Sequence, residues 1–117
     1  MSYHVYISNS GSEYLSKFVM DAETGKLTPE ADIPLDSSPG AVATTADGTL
    51  MFICLRGVKQ YQSFRVDKST GALSSIGAAS VDQAGPYLKT DNTDLFLLAT
   101  YYGAGAVSVH KINDDGS

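Results

Sequence analysis

The chain has no tryptophan and a single cysteine, Cys54, among 117 residues. One cysteine closes no intrachain disulfide and completes no structural zinc site, so neither staple holds this fold. The two histidines, His4 and His110, have no ligand-like partners at metal spacing, and no metal or cofactor is assigned. Basic residues are few and scattered: eight Lys and Arg stand against thirteen Asp and Glu, a formal charge of −5. Binding a phosphate backbone requires a clustered basic face, which excludes nucleic acid as a partner. Long apolar runs are also missing. None reaches the roughly 18 residues that a membrane helix needs, and the N-terminus shows no basic segment followed by a short apolar stretch. The expectation is a soluble, cytoplasmic protein with no membrane partner. No segment sustains a helical period, so helix content should be near zero. No Gly-x-Ser-x-Gly elbow is present, and Gly103-Ala104-Gly105 is not followed by a helix, which argues against acyl-enzyme chemistry and a dinucleotide loop.

What the chain does have is repetition. Asp21-Ala22-Glu23-Thr24-Gly25-Lys26-Leu27 returns 46 positions later as Asp67-Lys68-Ser69-Thr70-Gly71-Ala72-Leu73. Gly40 to Ile53 aligns without a gap on Gly85 to Leu98, a shift of 45, and a third copy of the turn opens at Asn113-Asp114-Asp115-Gly116. Repeats of about 40–50 residues that contain several strands each are the signature of propeller blades.

Strand-like runs separated by turn residues fall at His4–Asn9, Leu15–Asp21, Thr28–Leu35, Gly40–Thr45, Leu50–Leu55, Tyr61–Asp67, Leu73–Val81, Tyr87–Thr90, Leu95–Tyr101 and Ala106–Ile112. The reading is all-β: a β-propeller of four-stranded antiparallel blades, with about two and a half blades present of a larger propeller. Residues 1–38 form a first blade lacking its inner strand, 39–83 a second blade, and 84–117 a third lacking its outer strand. Leu50–Leu55 and Leu95–Ala99 are apolar at successive positions, which suits second strands covered on both faces. Ser63–Asp67 and Val107–Lys111 alternate, as third strands nearer the rim should.

Alternate connections of an antiparallel meander lie at opposite ends of the sheet. The Asp-rich and Thr-Gly turns therefore share one face, and the longer connections Asn9–Tyr14, Asp36–Pro39, Arg56–Gln60, Asp82–Pro86 and Tyr101–Gly105 collect on the other, the expected functional face. Arg56 enters one of these connections from a buried strand. Its guanidinium suits bidentate binding of carboxylate or phosphate, although a solvated loop arginine paired with an acid is the alternative. Tyr87 opens an inner strand, where lining the channel and filling the core are both open. Lys89, on the same side of that strand, adds positive potential or forms a salt bridge. Tyr101 and Tyr102 end a second strand beside Gly103 and Gly105, whose missing side chains permit close approach. Adjacent strand residues point to opposite sides, so one tyrosine at most faces the channel. Cys54, inside an apolar strand, reads as a buried small hydrophobe.

These residues resemble the seven-bladed lactonase-type propellers, the family of bacterial 6-phosphogluconolactonase and fungal carboxymuconate lactonising enzyme. The resemblance rests on His4-Val5-Tyr6-Ile7-Ser8-Asn9, on the Asp-x-x-Thr-Gly-x-Leu turns, on Phe52-Ile53-Cys54-Leu55-Arg56 and on Thr100 to Val109. It favours Tyr101 over Tyr102 for the site and implies a small anionic substrate bound by Arg56, Tyr87 and Tyr101, with the catalytic groups unassigned. Tyr87 stands where the family commonly has His. The implied activity is hydrolysis of a sugar lactone, 6-phosphogluconolactone foremost, by the parent propeller; the alternatives are carboxy-cis,cis-muconate cyclisation and noncatalytic ligand binding. Two and a half blades leave bare edges and faces, so the chain alone is expected to be inactive and to self-associate through exposed blade edges.

Overall fold

Asp21 and Asp67 turn the chain back by the same local chemistry. Asp21 Oδ1 accepts the N–H groups of Glu23 and Thr24 at 2.8 and 3.2 Å; Asp67 Oδ1 accepts those of Ser69 and Thr70 at 2.9 and 3.3 Å. The threonine hydroxyl oxygen then accepts the N–H two residues on, Lys26 or Ala72, at 3.2 Å in both copies. Gly25 and Gly71 follow with φ of 73° and 76°, a left-handed conformation that glycine adopts without a Cβ penalty. The Asp, Thr and Gly of the repeated phrase thus each have a role within their own turn.

The computed structural model describes residues 2–9, 11–81, 87–101, 105–113 and 115–116. Their regular structure is all strand, in three antiparallel sheets. The first holds β1 (Ser2–Ser8), β2 (Tyr14–Asp21), β3 (Leu27–Pro29) and β4 (Ile33–Pro34), with β3 and β4 both paired to β2. The second runs β5 (Pro39–Thr44), β6 (Leu50–Leu55), β7 (Gln60–Val66) and β8 (Leu73–Ser80) in order; the third runs β9 (Tyr87–Thr90), β10 (Phe96–Tyr101) and β11 (Ala106–Lys111). The single strand expected over Thr28–Leu35 is two short pieces. Pro29 and Pro34 bring no N–H to a ladder, and such residues are confined to edges like this one. Between them the chain is held by the Glu30 N–H, which donates to the Lys17 carbonyl at 2.9 Å.

The strand repeat is 46 residues throughout, one more than the ungapped alignment of Gly40–Ile53 with Gly85–Leu98 indicates. The Thr45 N–H donates to the Leu50 carbonyl, and the Asp91 N–H to that of Phe96. The left-handed residue of each turn is Gly48 (φ 73°) in one copy and Asp94 (φ 57°) in the other. Leu50 pairs with Arg65 as Phe96 pairs with Lys111. Because Leu95 to Leu98 is apolar at every position, composition alone does not fix the phase of this strand, whereas the turn does. A one-residue slip exchanges the faces of a strand, so the counterpart of Phe52 is Leu98, not Leu97.

The second sheet lies between the other two. Leu15 packs with Met51, Ile53, Leu55 and Phe64 on one side. On the other, Ala43, Phe52, Cys54 and Tyr61 pack with Leu88, Leu97, Ala99 and Ile112. β6 is therefore buried on both faces, as its composition indicates. β10 is not: Leu97 and Ala99 are 3% and 1% exposed, but Phe96 and Leu98 are each 39% exposed, because the described residues cover only one of its faces.

Candidate active face

The strand directions bring the start of β5, the end of β6, the start of β9 and the end of β10 to one end of the sheets. Arg56 follows the last residue of β6, and its N–H donates to the Ser38 carbonyl at 2.9 Å. Its side chain is exposed, and its stem lies across the backbone of β5. A Cβ at Gly40 would stand 2.9 Å from Arg56 Cδ and 3.0 Å from Cγ, so glycine there is what seats the arginine. Gly57 plays the same part for the neighbouring loop, since a Cβ there would fall 2.3 Å from Ser37 Oγ. Beside this junction Gly11, Ser12, Glu13, Ser37 and Ser38 line an open polar cleft of about 450 Å³. The Leu35 N–H donates to the Glu13 carbonyl at 2.9 Å, and Ser12 Oγ donates to the Asn9 carbonyl at 3.0 Å, which fixes the loop that carries the cleft's outer wall.

Tyr87 is 58% exposed and pairs with Thr100 across β9 and β10. Its position is the counterpart of Ala41, which packs on the cluster between the second and third sheets, so Tyr87 stands on the outward face of the third sheet. The backbone of Tyr101 pairs with Ala106 at the end of β10. The side chain of Tyr101, the Tyr102-Gly103-Ala104 segment and the Asp82–Pro86 connection lie outside the described residues. Arg56, Tyr87 and Tyr101 thus belong to the same end of their sheets, with Tyr87 and Tyr101 on adjacent strands. Lys89 is exposed on β9. Sequence reasoning passed over Glu13, Ser37, Ser38, Gly40 and Gly57; the Ser-Ser-Pro-Gly run and the glycine directly after Arg56 were the available signals.

The opposite end is electrostatically distinct. Asp47 Oδ1 accepts the Thr45 hydroxyl at 2.7 Å, the Thr49 N–H at 3.0 Å and the Thr49 hydroxyl at 2.7 Å. These bonds, the Thr45 hydroxyl foremost, lower its pKa from 3.8 to about 2. Hydrogen bonds led by the Ser69 and Thr93 hydroxyls likewise lower Asp67 and Asp91. Lys17, buried between the first two sheets, donates to the Thr70 carbonyl at 2.6 Å and pairs with Glu30 Oε1 at 2.6 Å. No group of three His, Cys, Asp or Glu side chains among the described residues is arranged to hold a metal ion, and these residues include no helix long and apolar enough to cross a membrane.

A family model described as Lactonase, 7-bladed beta-propeller, matches residues 9–117. Over 116 residues the chain is 28% identical to 6-phosphogluconolactonase of Bacillus subtilis, covering 94% of this chain and 32% of that protein. It is 26% identical over 115 residues to the 6-phosphogluconolactonase of Cronobacter sakazakii, covering 97% and 34%. Among solved structures, a putative 6-phosphogluconolactonase from Bacteroides fragilis superposes with a TM-score of 0.82 at 21% identity, over 99% of this chain and 33% of that one. The periplasmic gluconolactonase of Pseudomonas aeruginosa gives 0.74 at 20% identity, over 97% and 36%. The chain spans about one third of the length of the curated relatives it matches.

Proposed function

The chain belongs to the family described as Lactonase, 7-bladed beta-propeller, and from that premise we propose that it supplies part of the site of an enzyme that hydrolyses 6-phosphogluconolactone. The observation that supports this reading is Arg56, an exposed arginine whose stem lies on Gly40 and whose N–H donates to the carbonyl of Ser38, a residue of the neighbouring polar cleft. Arg56 holds the substrate's anionic group through charge-assisted hydrogen bonds. Tyr87 and Tyr101, on neighbouring strands at the same end, orient ring hydroxyls and donate toward the lactone oxygen. Glu13 is the carboxylate lining the cleft and takes the base role. A water oxygen attacks the lactone carbonyl while its proton passes to Glu13. The charge developing on the carbonyl oxygen is met by fixed donors, and the ring C–O bond then breaks with the proton returned to the departing oxygen. The names of the curated relatives support this substrate over a muconate.

The test replaces the matching third of the Bacillus subtilis relative with residues 1–117. The expected result is hydrolysis of 6-phosphogluconolactone by the chimera, none by the 117-residue chain alone, and a fall in kcat/KM of about 10–100-fold on Arg56→Ala, the value of one or two charge-assisted hydrogen bonds. A folded chimera that binds the lactone without turnover, or turns over equally well as Arg56→Ala, would overturn the reading.

A further inference from the structure

On the reading that the Arg56 end is the ligand site, we propose that Ser37 sets the specificity of the cleft beside it. The Ser37 hydroxyl, given room by Gly57, bonds a hydroxyl group on the ligand's carbon chain and selects a polyhydroxylated ligand over its deoxy analogue. Five polar residues are buried among the described ones: Lys17, Ser37, Thr45, Ser63 and Thr90. Four of them have internal partners. Lys17 donates to the Thr70 carbonyl, and the hydroxyls of Thr45, Ser63 and Thr90 donate to Asp47 Oδ1, the Gly77 carbonyl and the Thr44 carbonyl. Ser37 is 7% exposed, and its hydroxyl has no hydrogen-bond partner among the described residues. A hydroxyl withdrawn from water and left unpaired is a standing cost, and a group of this kind calls for an explanation. Ser37 lines the cleft, so a ligand there meets a donor and an acceptor that the protein leaves unused.

Gly57 keeps that hydroxyl in place by what it lacks. A Cβ at Gly57 would fall 2.3 Å from Ser37 Oγ, whereas Ser37 Cβ and Ser38 Oγ would stand at 3.6 and 3.9 Å, ordinary contact distances. Gly57 is not among the glycines of positive φ, so no backbone strain calls for glycine here. What it provides is the space that one oxygen occupies.

The lining sets the kind of ligand. Besides Ser37 the cleft presents the hydroxyls of Ser12 and Ser38 and the carboxyl group of Glu13, with no Lys, Arg or His among its lining residues. Ser12 Oγ already donates to the Asn9 carbonyl, which leaves its oxygen to accept. A lining of acceptors without a cation suits the O–H groups of a polyol and gives a second anionic group nothing to pair with. The ligand's anionic group therefore goes to Arg56 and its hydroxylated chain to the cleft. A site built to bond a hydroxyl rejects the analogue that lacks it, because the protein's own group is then left unpaired.

The experiment is titration calorimetry on the chimera in which residues 1–117 replace the matching third of the Bacillus subtilis relative, with 6-phosphogluconate and its deoxy analogue 6-phosphohexanoate as probes. The unmodified chimera is expected to bind 6-phosphogluconate the more tightly. Ser37→Ala should weaken that binding about 3–10-fold, the value of one hydrogen bond, and change binding of the deoxy analogue by less than about twofold. Gly57→Ala should reproduce the loss of selectivity and lower the melting temperature. Combined with Ser37→Ala, it should melt higher than Gly57→Ala alone, because the oxygen that the new Cβ meets is gone. Equal weakening toward both probes, no change toward either, or a Gly57→Ala penalty undiminished by Ser37→Ala would overturn the proposal. A chimera that binds neither probe would overturn it too, and the ligand site with it. Selectivity that is lost on Ser37→Ala in a chimera without lactone hydrolysis would support the role of Ser37 and overturn the reaction alone.

Discussion

The twice-used turn provides an internal control for separating backbone strain from crowding. Gly25 and Gly71 share φ values of 73° and 76° and the same hydrogen bonds, so alanine at either meets the same left-handed penalty, about 1 kcal/mol. Their surroundings differ. A Cβ at Gly25 meets nothing within 4 Å, whereas one at Gly71 would stand 2.6 Å from His4 Nδ1, 2.6 Å from Lys17 Cε and 2.8 Å from His4 Cγ. Neither neighbour yields easily. Lys17 is tethered at both Glu30 and the Thr70 carbonyl, and the Gly71 carbonyl itself accepts the Tyr6 hydroxyl. Overpacking a site of this kind costs about 1–3 kcal/mol beyond the strain. Gly25→Ala should therefore lose about 1 kcal/mol and Gly71→Ala about 2–4 kcal/mol. Urea unfolding by circular dichroism measures both. With an m-value of about 1–1.5 kcal/mol/M, the two midpoints should differ by about 1–2 M. Equal midpoints would refute the packing of His4 and Lys17 against the second turn, and with it the seating of the first sheet on the second.

Further outcomes follow from the register and the acidic turns. In the same urea assay, Leu97→Ala should cost about 2–5 kcal/mol and Leu98→Ala less than about 1 kcal/mol, because Leu97 is 3% and Leu98 39% exposed; the reverse order would restore a 45-residue repeat. Asp47 has its pKa lowered from 3.8 to about 2 by the Thr45 hydroxyl and the Thr49 groups. A depressed folded-state pKa contributes stability that is present above the unfolded value and is lost as pH falls through the folded one. The urea midpoint should accordingly drop on acidification through that window, and Asp47→Asn should flatten the drop; a variant with the same acid slope would remove Asp47 as its source.

The turn motif made the fold legible, because its Asp, Thr and Gly each serve a bond within the same few residues. Blade number, strand order and the two ends of the sheets follow from it without long-range information. The phase of β10 was not legible: Leu95, Phe96, Leu97 and Leu98 satisfy either face equally well, and Asp94 fills a left-handed position that its side chain does not advertise. The break within Thr28–Leu35 was marked in the sequence by two prolines and by Glu30, Ala31 and Asp32 between them, residue types that strands disfavour. At the candidate site, Arg56 stood out as a cation at the end of an apolar strand. Gly40 and Gly57 did not, since what matters there is the approach of a segment distant along the chain, which a linear pattern does not record.

Five side-chain bonds between sheets share one location. Tyr6 to Gly71, Lys17 to Thr70, Ala46 to Asp94, Thr90 to Thr44 and Arg65 to Asp115 all tie neighbouring sheets at the end opposite Arg56. At the Arg56 end, successive sheets are joined by the chain itself, through 35–38 and 81–86. The seating of one sheet on the next is thus tied to the chemistry of the turns at that end. Substitutions in those turns are expected to change how neighbouring sheets stack without touching a residue that lines the cleft.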